Sequence, residues 1–278
     1  MPKLDRIPHF DERSRSYGVR ELLPRRVERR QRLWALPAGY PLDQKSEGAC
    51  IGHGYCGELA ADPIVVPGAD QAYAFRLYEL ARAEDRKMGN NWPEGASMLA
   101  GAKALKNAGK ISGYRWAFGI DDVLDTLSAI GPVVLGINWL DGMYQTRNDG
   151  LVEVTGPIVG GHCILANGYW PAHPKFGDVV VWTNSWGRSY GLNGVGFIRV
   201  PDLAGLLEDQ GEAAIVVDVA PAQPSPPPAP VEQLFTASRY SSAFHRKGAH
   251  WWVAETRAWS RREDALTAGL RPCRMCKP

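Results

Sequence analysis

The sequence lacks a long apolar run, an apolar leader and a dense set of cysteines. No uninterrupted apolar stretch approaches the ~20 residues that a helix needs to cross a bilayer, so we predict no membrane-spanning segment and no membrane partner. Residues 1–5 are not followed by an apolar core, so we expect no secretory signal peptide. Five cysteines without a regular spacing favour a reducing compartment, which predicts a cytoplasmic location.

A strong excess of charge of either sign is also missing. The net charge is only +2, which by itself indicates no particular partner. Residues 231–278 depart from this balance, with nine Lys or Arg against four Asp or Glu. A basic tail of this kind can bind nucleic acid or an acidic partner, or it can simply be a solvated face.

The segment 43–61 carries the first chemical pattern. Residues 43–49 are polar and contain glycine, which predicts a loop, and a helix is predicted to begin near Cys50. Unpaired N–H groups at a helix N-terminus stabilise a thiolate, so Cys50 is placed to act as a nucleophile. Gln44, six positions upstream, can fold back so that its amide stabilises an oxyanion together with these N–H groups.

Cys50 has other interpretations. An isolated cysteine is often a small, buried apolar residue. Cys50, His53 and Cys56 also suggest a metal site, but at about 3.6 residues per turn, steps of three spread the side chains around a helix. They would not converge on one ion, so we reject this site. His53 could still serve as a base by proximity, although a residue from elsewhere in the fold aims better at the thiol.

The base and its orienting partner are predicted farther along the chain. His162 lies at the mouth of an apolar strand, where an imidazole can act as a general base. A core histidine bonded to a backbone carbonyl is the alternative. A second apolar strand, residues 179–183, ends in Asn-Ser-Trp-Gly at 184–187. Asn184 can accept the imidazole N–H through its amide oxygen, and Trp186 can shield that hydrogen bond from water.

Together these motifs resemble those of the papain family (clan CA) of cysteine peptidases, in its compact bacterial and phage type. The resemblance extends from about residue 35 to residue 218. It implies an α+β, two-lobed papain-like fold with a helical lobe, a β-barrel-like lobe and a cleft between them. It also implies a bacterial or phage-encoded protein.

The resemblance implies a cysteine endopeptidase that hydrolyses a protein or peptide substrate through a covalent acyl-enzyme. No cofactor is implied for catalysis. Cys50 corresponds to the nucleophile and His162 to the base. Asn184 corresponds to the orienting residue, and Gln44 to the oxyanion donor.

The chain departs from the family pattern at several positions. Ile51 replaces the aromatic residue that follows the nucleophile, and Glu47 stands where secreted members have a disulfide cysteine. Residues 90–97 occupy the region of the main specificity pocket without a clear Gly-Gly pair, so the family's preference for bulky apolar side chains is not carried over. Only 49 residues precede Cys50, so we expect no independently folded pro-domain.

Two rival functions stay open at this point. The chain could be a catalytically silent binding module with a papain-like fold, recruited through its basic tail. It could also be a cell-wall peptide amidase of the related NlpC type, whose third site residue is usually an imidazole rather than an Asn. Hydrolase activity requires that sulfur, ring nitrogen and carboxamide meet and that the sulfur is open to solvent.

The pattern of composition predicts four regions. Residues 1–40 are a polar N-terminal surface extension, and residues 41–220 form the papain-like domain. Residues 221–233 are a Pro-rich linker of the polyproline type, and residues 234–278 form a small module. Inside the main domain we predict helices at 50–61, 70–87, 97–107 and 121–129, and strands starting at 133 and near 162–169, 178–184, 195–200 and 213–219.

The C-terminal module is too short to bury a sufficient core without a metal or another staple. Cys273 and Cys276 form a Cys-x-x-Cys pair, which grips zinc in many small domains. The module resembles the small zinc-binding domain of bacterial alkylation-repair proteins, in which another cysteine stands at the position of Ala249. That resemblance leaves His245 and His250 as the remaining zinc ligands. Free thiols in a frayed tail, or a redox pair, are the alternatives.

Overall fold

A computed structural model of the chain describes residues 2–217, 235–237, 242–246, 257–259 and 262–274. The chain divides into two units, Met1–Ala220 and Pro221–Pro278, and each is described by itself. No helix of the described residues is long and apolar enough to cross a membrane.

The helices of the first unit agree closely with the sequence predictions. They are α1 (Cys50–Ala60), α2 (Gln71–Lys87), α3 (Met98–Asn107), α4 (Ile120–Ala129) and α5 (Val200–Glu208). Side chains that bond to backbone N–H groups fix two of the starts: Asp70 accepts from Tyr73 N at 2.9 Å, and Ser97 accepts from Ala100 N at 3.1 Å. Helix α5 was not predicted, because its short apolar pattern directly follows a strand.

The strands of the first unit form one large antiparallel sheet and one short parallel pair. They are β1 (Arg6–Ile7), β2 (Arg32–Leu33), β3 (Ala96–Ser97), β4 (Gly113–Trp116), β5 (Val133–Leu140), β6 (Ile158–His173), β7 (Gly177–Thr183), β8 (Val195–Arg199) and β9 (Glu212–Val217). Within residues 2–217 the large sheet has the order β4-β9-β5-β6-β7-β8, and β2 pairs with β6. The predicted strands are confirmed, but β4 and β8 stay at the ends of this order, so the sheet is open where a barrel-like lobe was expected.

Helix α1 lies directly against the sheet, and every one of its residues is buried. Its glycines make this close approach possible. A Cβ on Gly54 would lie 2.6 Å from Cys163 Sγ of β6. The buried carboxylate of Glu58 accepts Val216 N at 2.8 Å and so joins the helix to β9. The N-terminus of α1, which carries Cys50, is thereby held beside β6.

A few residues of the N-terminal 40 are held inside the fold. Strand β1 pairs in parallel with β3, with Arg6 opposite Ala96 and Ile7 opposite Ser97. Arg6 is only 2% exposed and Val19 is fully buried. The rest of residues 2–40 is mostly exposed or half-buried. The polar composition did not indicate that Arg6 is buried, which is possible because it has an internal ion-pair partner, Glu212.

The described residues of the second unit include four short strands and a helix. They are β10 (Phe235–Ala237), β11 (Ala243–Arg246), β12 (Arg257–Trp259), α6 (Arg262–Thr267) and β13 (Arg271–Pro272). The strand order is β12-β10-β11-β13. A small buried cluster of Ala237, Phe244, Ala265 and Leu270 lies among them.

Candidate active site

His162 and Asn184 form a buried hydrogen-bonded pair. His162 lies on β6 opposite Ile137 of β5, and Asn184 directly follows β7, the next strand of the sheet. The imidazole Nε2 is 2.8 Å from Asn184 Oδ1, which also accepts Ser185 N at 2.7 Å. The second bond fixes the amide oxygen toward the ring, so Nε2 carries the proton and Nδ1 keeps its lone pair.

Aromatic side chains enclose this pair. The Trp186 ring stacks on His162 with centroids 4.7 Å apart, and the Trp139 ring meets it edge-on at 4.8 Å. Burial lowers the pKa of His162 to about 4, against the opposing effect of the Asn184 hydrogen bond. Sequence reasoning found Trp186 but missed Trp139, whose only sequence signal is an aromatic residue inside an apolar strand.

Gln44 is oriented by the same motif. Its side-chain oxygen accepts Ser185 Oγ–H at 2.6 Å, and its backbone N donates to Ser185 O at 2.7 Å. The carboxamide nitrogen therefore points away from Ser185, toward Lys3 O at 3.1 Å and Glu47 O at 2.8 Å. Ser185 was not predicted as a site residue, although it lies inside the Asn-Ser-Trp-Gly motif.

Cys50 is the first residue of α1, as predicted. The backbone N–H groups of Ile51, in the first turn of the helix, and of Cys163, the residue after His162, lie close enough to the Cys50 sulfur to lower the pKa of its thiol, against the larger effect of burial. The structure thus places Cys50 next to the part of β6 that carries His162. Within the described residues, His162 Nδ1 has no hydrogen-bond partner, so it keeps the capacity to accept a proton.

The sulfur is not open to solvent in this conformation. Residues 3–7, here called the covering segment, run over it: Asp5 packs against Gly48, and its backbone N–H lies close enough to the sulfur to lower the pKa of the thiol. Cys50 is 0% exposed, and this burial raises the pKa of its thiol to about 11, with a further contribution from the Asp5 carboxylate. The expectation of an open sulfur is therefore wrong for this state of the chain.

The covering segment lies in a groove lined by glycines. An added Cβ on Gly48 would collide with the Asp5 side chain, one on Gly95 with the Asp5 carbonyl, and one on Gly161 with the Arg6 carbonyl. Ala96 N donates to Asp5 O at 3.2 Å beside the groove. Missing side chains at these positions leave room for an extended backbone to pass within hydrogen-bond reach of Cys50.

His53 is not placed to act as the base. Its Nδ1 donates to Ala49 O at 2.8 Å, and its Nε2 accepts from Gln71 Nε2 at 3.0 Å. Both ring nitrogens are thus used within the helical part, and burial lowers the pKa of His53 to about 4. Among the residues the structure describes, no cluster of three His, Cys, Asp or Glu could hold a metal ion.

Two of the four predicted zinc ligands fall on described residues. Strands β11 and β13 pair in parallel, and Cys273 N donates to Phe244 O at 3.0 Å, which brings Cys273 beside the strand that carries His245. The other two, His250 and Cys276, lie outside the described residues. The zinc site stays a prediction.

Comparison with solved structures identifies the fold as that of papain-like cysteine proteases. One similar structure is xylellain, a cysteine protease from Xylella fastidiosa, with a TM-score of 0.56 and 17% identity over 78% of this chain and 96% of that one. Another is the Amb a 11 cysteine protease, a major ragweed pollen allergen, in its proform, with a TM-score of 0.51 and 16% identity over 72% and 68% of the two chains. No protein-family model and no curated protein matches the sequence.

Proposed function

We propose that the chain is a cysteine endopeptidase of the papain type, acting on protein or peptide substrates. The observation that carries this proposal is the sulfur at the start of α1, beside the backbone of Cys163, which follows a histidine whose Nε2 donates to Asn184. A thiol, a ring with a free lone pair and an orienting amide are the components of nucleophilic thiol catalysis. No cofactor is needed for this chemistry.

The proposed reaction begins when the covering segment leaves the groove. His162 Nδ1 then takes the thiol proton, and the Cys50 thiolate attacks the carbonyl carbon of the substrate. The carbonyl oxygen becomes an oxyanion, held by the Cys50 backbone N–H and by the Gln44 carboxamide that Lys3 O occupies in the covered state. His162 returns the proton to the leaving amine, and water hydrolyses the acyl-enzyme through the same ring.

The covering segment is bound in a way that avoids attack. The backbone N–H of Asp5 lies beside the sulfur, and burial favours the protonated thiol over the nucleophilic thiolate. The segment therefore occupies the groove without being a substrate in this position. Activity is expected only from the fraction of molecules in which residues 3–7 have moved away.

The covered sulfur also favours a second candidate, a silent binding module. One experiment separates the two. Wild type, Arg6→Ala and Arg6→Ala/Cys50→Ala proteins are incubated with an epoxide-type thiol-protease inhibitor and, separately, with a denatured protein. The peptidase proposal expects labelling and cleavage, both strongest in Arg6→Ala and both absent without Cys50. Folded Arg6→Ala protein that neither labels nor cleaves would establish the silent module.

A peptidoglycan digest on the same samples tests the cell-wall amidase. Asn184 in the third position favours the peptidase, so we expect release of peptides from the denatured protein and none from peptidoglycan. Release of peptides from peptidoglycan and none from the denatured protein would instead indicate a cell-wall amidase that uses the same residues.

Zinc content, recorded on these samples, tests the proposal of a structural metal held by Cys273, Cys276, His245 and His250.

A further inference from the structure

Arg6 fills a closed pocket beside the nucleophile. It follows Asp5, whose backbone N–H lies beside the Cys50 sulfur, and its backbone pairs with Ala96 of β3. The side chain leaves the covering segment toward the sheet and is fully buried. The pocket is therefore closed except at the end that opens into the groove. That end lies next to Asp5, the residue beside the Cys50 thiol.

The floor of the pocket is acidic. Arg6 Nη2 lies 2.6 Å from Glu212 Oε2 and 2.6 Å from the carbonyl oxygen of Gln210. Glu212 begins β9, opposite Gly136 of β5, and is itself buried. A carboxylate and a carbonyl at one end of a narrow pocket match the fork of donors on a guanidinium.

The room for a long side chain comes from missing Cβ atoms. A Cβ on Gly136 would lie 3.0 Å from Arg6 Nε and 2.7 Å from Met98 Cγ, so any larger residue there would narrow the pocket. A Cβ on Gly161 would obstruct the Arg6 backbone at the entrance. The pocket is thus deep enough for an arginine and has walls of backbone and of the Met98 side chain.

Arg6 binds only one of the two carboxylate oxygens of Glu212. Within the described residues, Glu212 Oε1 has no hydrogen-bond partner, and neither have Nε and Nη1 of Arg6. A buried carboxylate is costly without a cationic partner, so a pocket with this floor rejects apolar side chains and favours basic ones. A guanidinium that enters at a slightly different angle can meet both carboxylate oxygens.

We propose that the Glu212 pocket is a substrate subsite that selects an arginine, and less strongly a lysine, close to the bond that is cut. Arg6 occupies it in the covered state in place of that substrate side chain. The proposal rests on the peptidase function proposed above and names its substrate class: polypeptides with a basic residue in the groove. The bulky-apolar preference of the papain family does not apply to this chain.

The test compares two covalent probes that differ by one charge. Both are short peptidyl epoxides, one with arginine at the subsite position and one with citrulline, which has nearly the same shape without the charge. The proteins are Arg6→Ala, which frees the pocket, Arg6→Ala/Glu212→Gln, and Arg6→Ala/Glu153→Gln as the control for loss of an exposed acid. The rate of Cys50 modification is measured by intact mass, and thermal melts verify that each variant is folded.

Arg6→Ala protein is expected to react with the arginine probe at least about tenfold faster than with the citrulline probe, since hydrogen bonds to buried charges are strong. The Glu212→Gln variant should bring this ratio to within about twofold, and Glu153→Gln should leave it unchanged. Equal rates with the two probes, no reaction with either, or a ratio unaffected by Glu212→Gln would overturn the subsite.

Peptide cleavage separates this proposal from the peptidase function. A library cut by Arg6→Ala protein in a Cys50-dependent way, without enrichment of arginine, contradicts the subsite and leaves the peptidase intact. Arginine-selective modification of Cys50 without cleavage of any peptide supports the pocket and contradicts the peptidase.

Discussion

The covering segment and the β6–β7 region both lie at the site, but they are held by very different contacts. His162 and Asn184 sit on a sheet in which β6 pairs with β5 and β7, and aromatic rings pack around them. Residues 3–7 are held by a two-residue strand pair, a few hydrogen bonds and one buried ion pair. The sheet therefore holds the base in one place, whereas the segment, which is half-buried apart from Arg6, has few bonds to break before it leaves.

The largest effect on activity is expected from a substitution in the β6–β7 region. In the Arg6→Ala background, His162→Gln removes the general base, and we expect kcat to fall by about 10²–10⁴-fold. His173→Gln is the matched control, because His173 is a buried histidine on the same strand that packs on Phe176, away from Cys50. Similar losses in both variants would mean that β6 supplies stability rather than chemistry.

A pH experiment tests whether a buried histidine stays neutral for as long as the protein is folded. His53 has a pKa of about 4 when folded and about 6.5 when unfolded, so below pH 6.5 the unfolded chain binds a proton that the folded chain refuses. Stability present above pH 6.5 is therefore lost as the pH falls toward 4. His53→Gln should reduce the loss between pH 7 and pH 5 by about 2 kcal/mol at most, measured by urea unfolding.

The comparison with wild type is essential in that experiment. Burial raises the pKa of Glu212 to about 7, so this carboxyl contributes in the opposite direction and gains stability as the pH falls. Glu212 is common to both proteins and cancels in the difference. Identical pH dependence in wild type and His53→Gln would show that His53 becomes protonated without unfolding.

The covering segment should respond to loss of its ion pair. Arg6→Ala is expected to raise the rate of Cys50 alkylation by iodoacetamide at least about tenfold, because a hydrogen-bonded buried charge pair no longer holds the segment. Arg13→Ala, which breaks an exposed pair with Asp11, is the control and should leave the rate unchanged. If Asn184→Ala opened the thiol as readily as Arg6→Ala, the contrast between the two regions would be lost.

The smallest effect is expected at the contact that orients Gln44. Ser185→Ala removes one neutral hydrogen bond, worth about 1 kcal/mol, so kcat in the Arg6→Ala background should fall about fivefold with little change in KM. Ser189→Ala, at an exposed serine four residues on, serves as the control. An unchanged kcat would mean that the backbone bond between Gln44 and Ser185 alone positions the carboxamide.

Local patterns account for what the sequence could predict. Asp70 and Ser97 mark helix starts through their own backbone contacts, and the apolar strands around His162 and Asn184 are continuous in the chain. The order and local settings of Gln44, Cys50, His162 and Asn184 led to the prediction of a single site, and the hydrogen bond from His162 to Asn184 is part of that arrangement. Trp139 was missed because an aromatic residue in an apolar strand is the same pattern whether it packs in the core or against an imidazole.

The sequence by itself determined most of the helices, the longer strands and the choice of candidate site residues, since these depend on short spacings and on the period of each helix and strand. Only the tertiary structure decided that the thiol is covered and that the pocket beside it ends in Glu212. The ion pair between Arg6 and Glu212 joins residues 206 positions apart. No local pattern encodes such a contact, because it forms only when the sheet brings β9 beneath the groove through which the N-terminus passes.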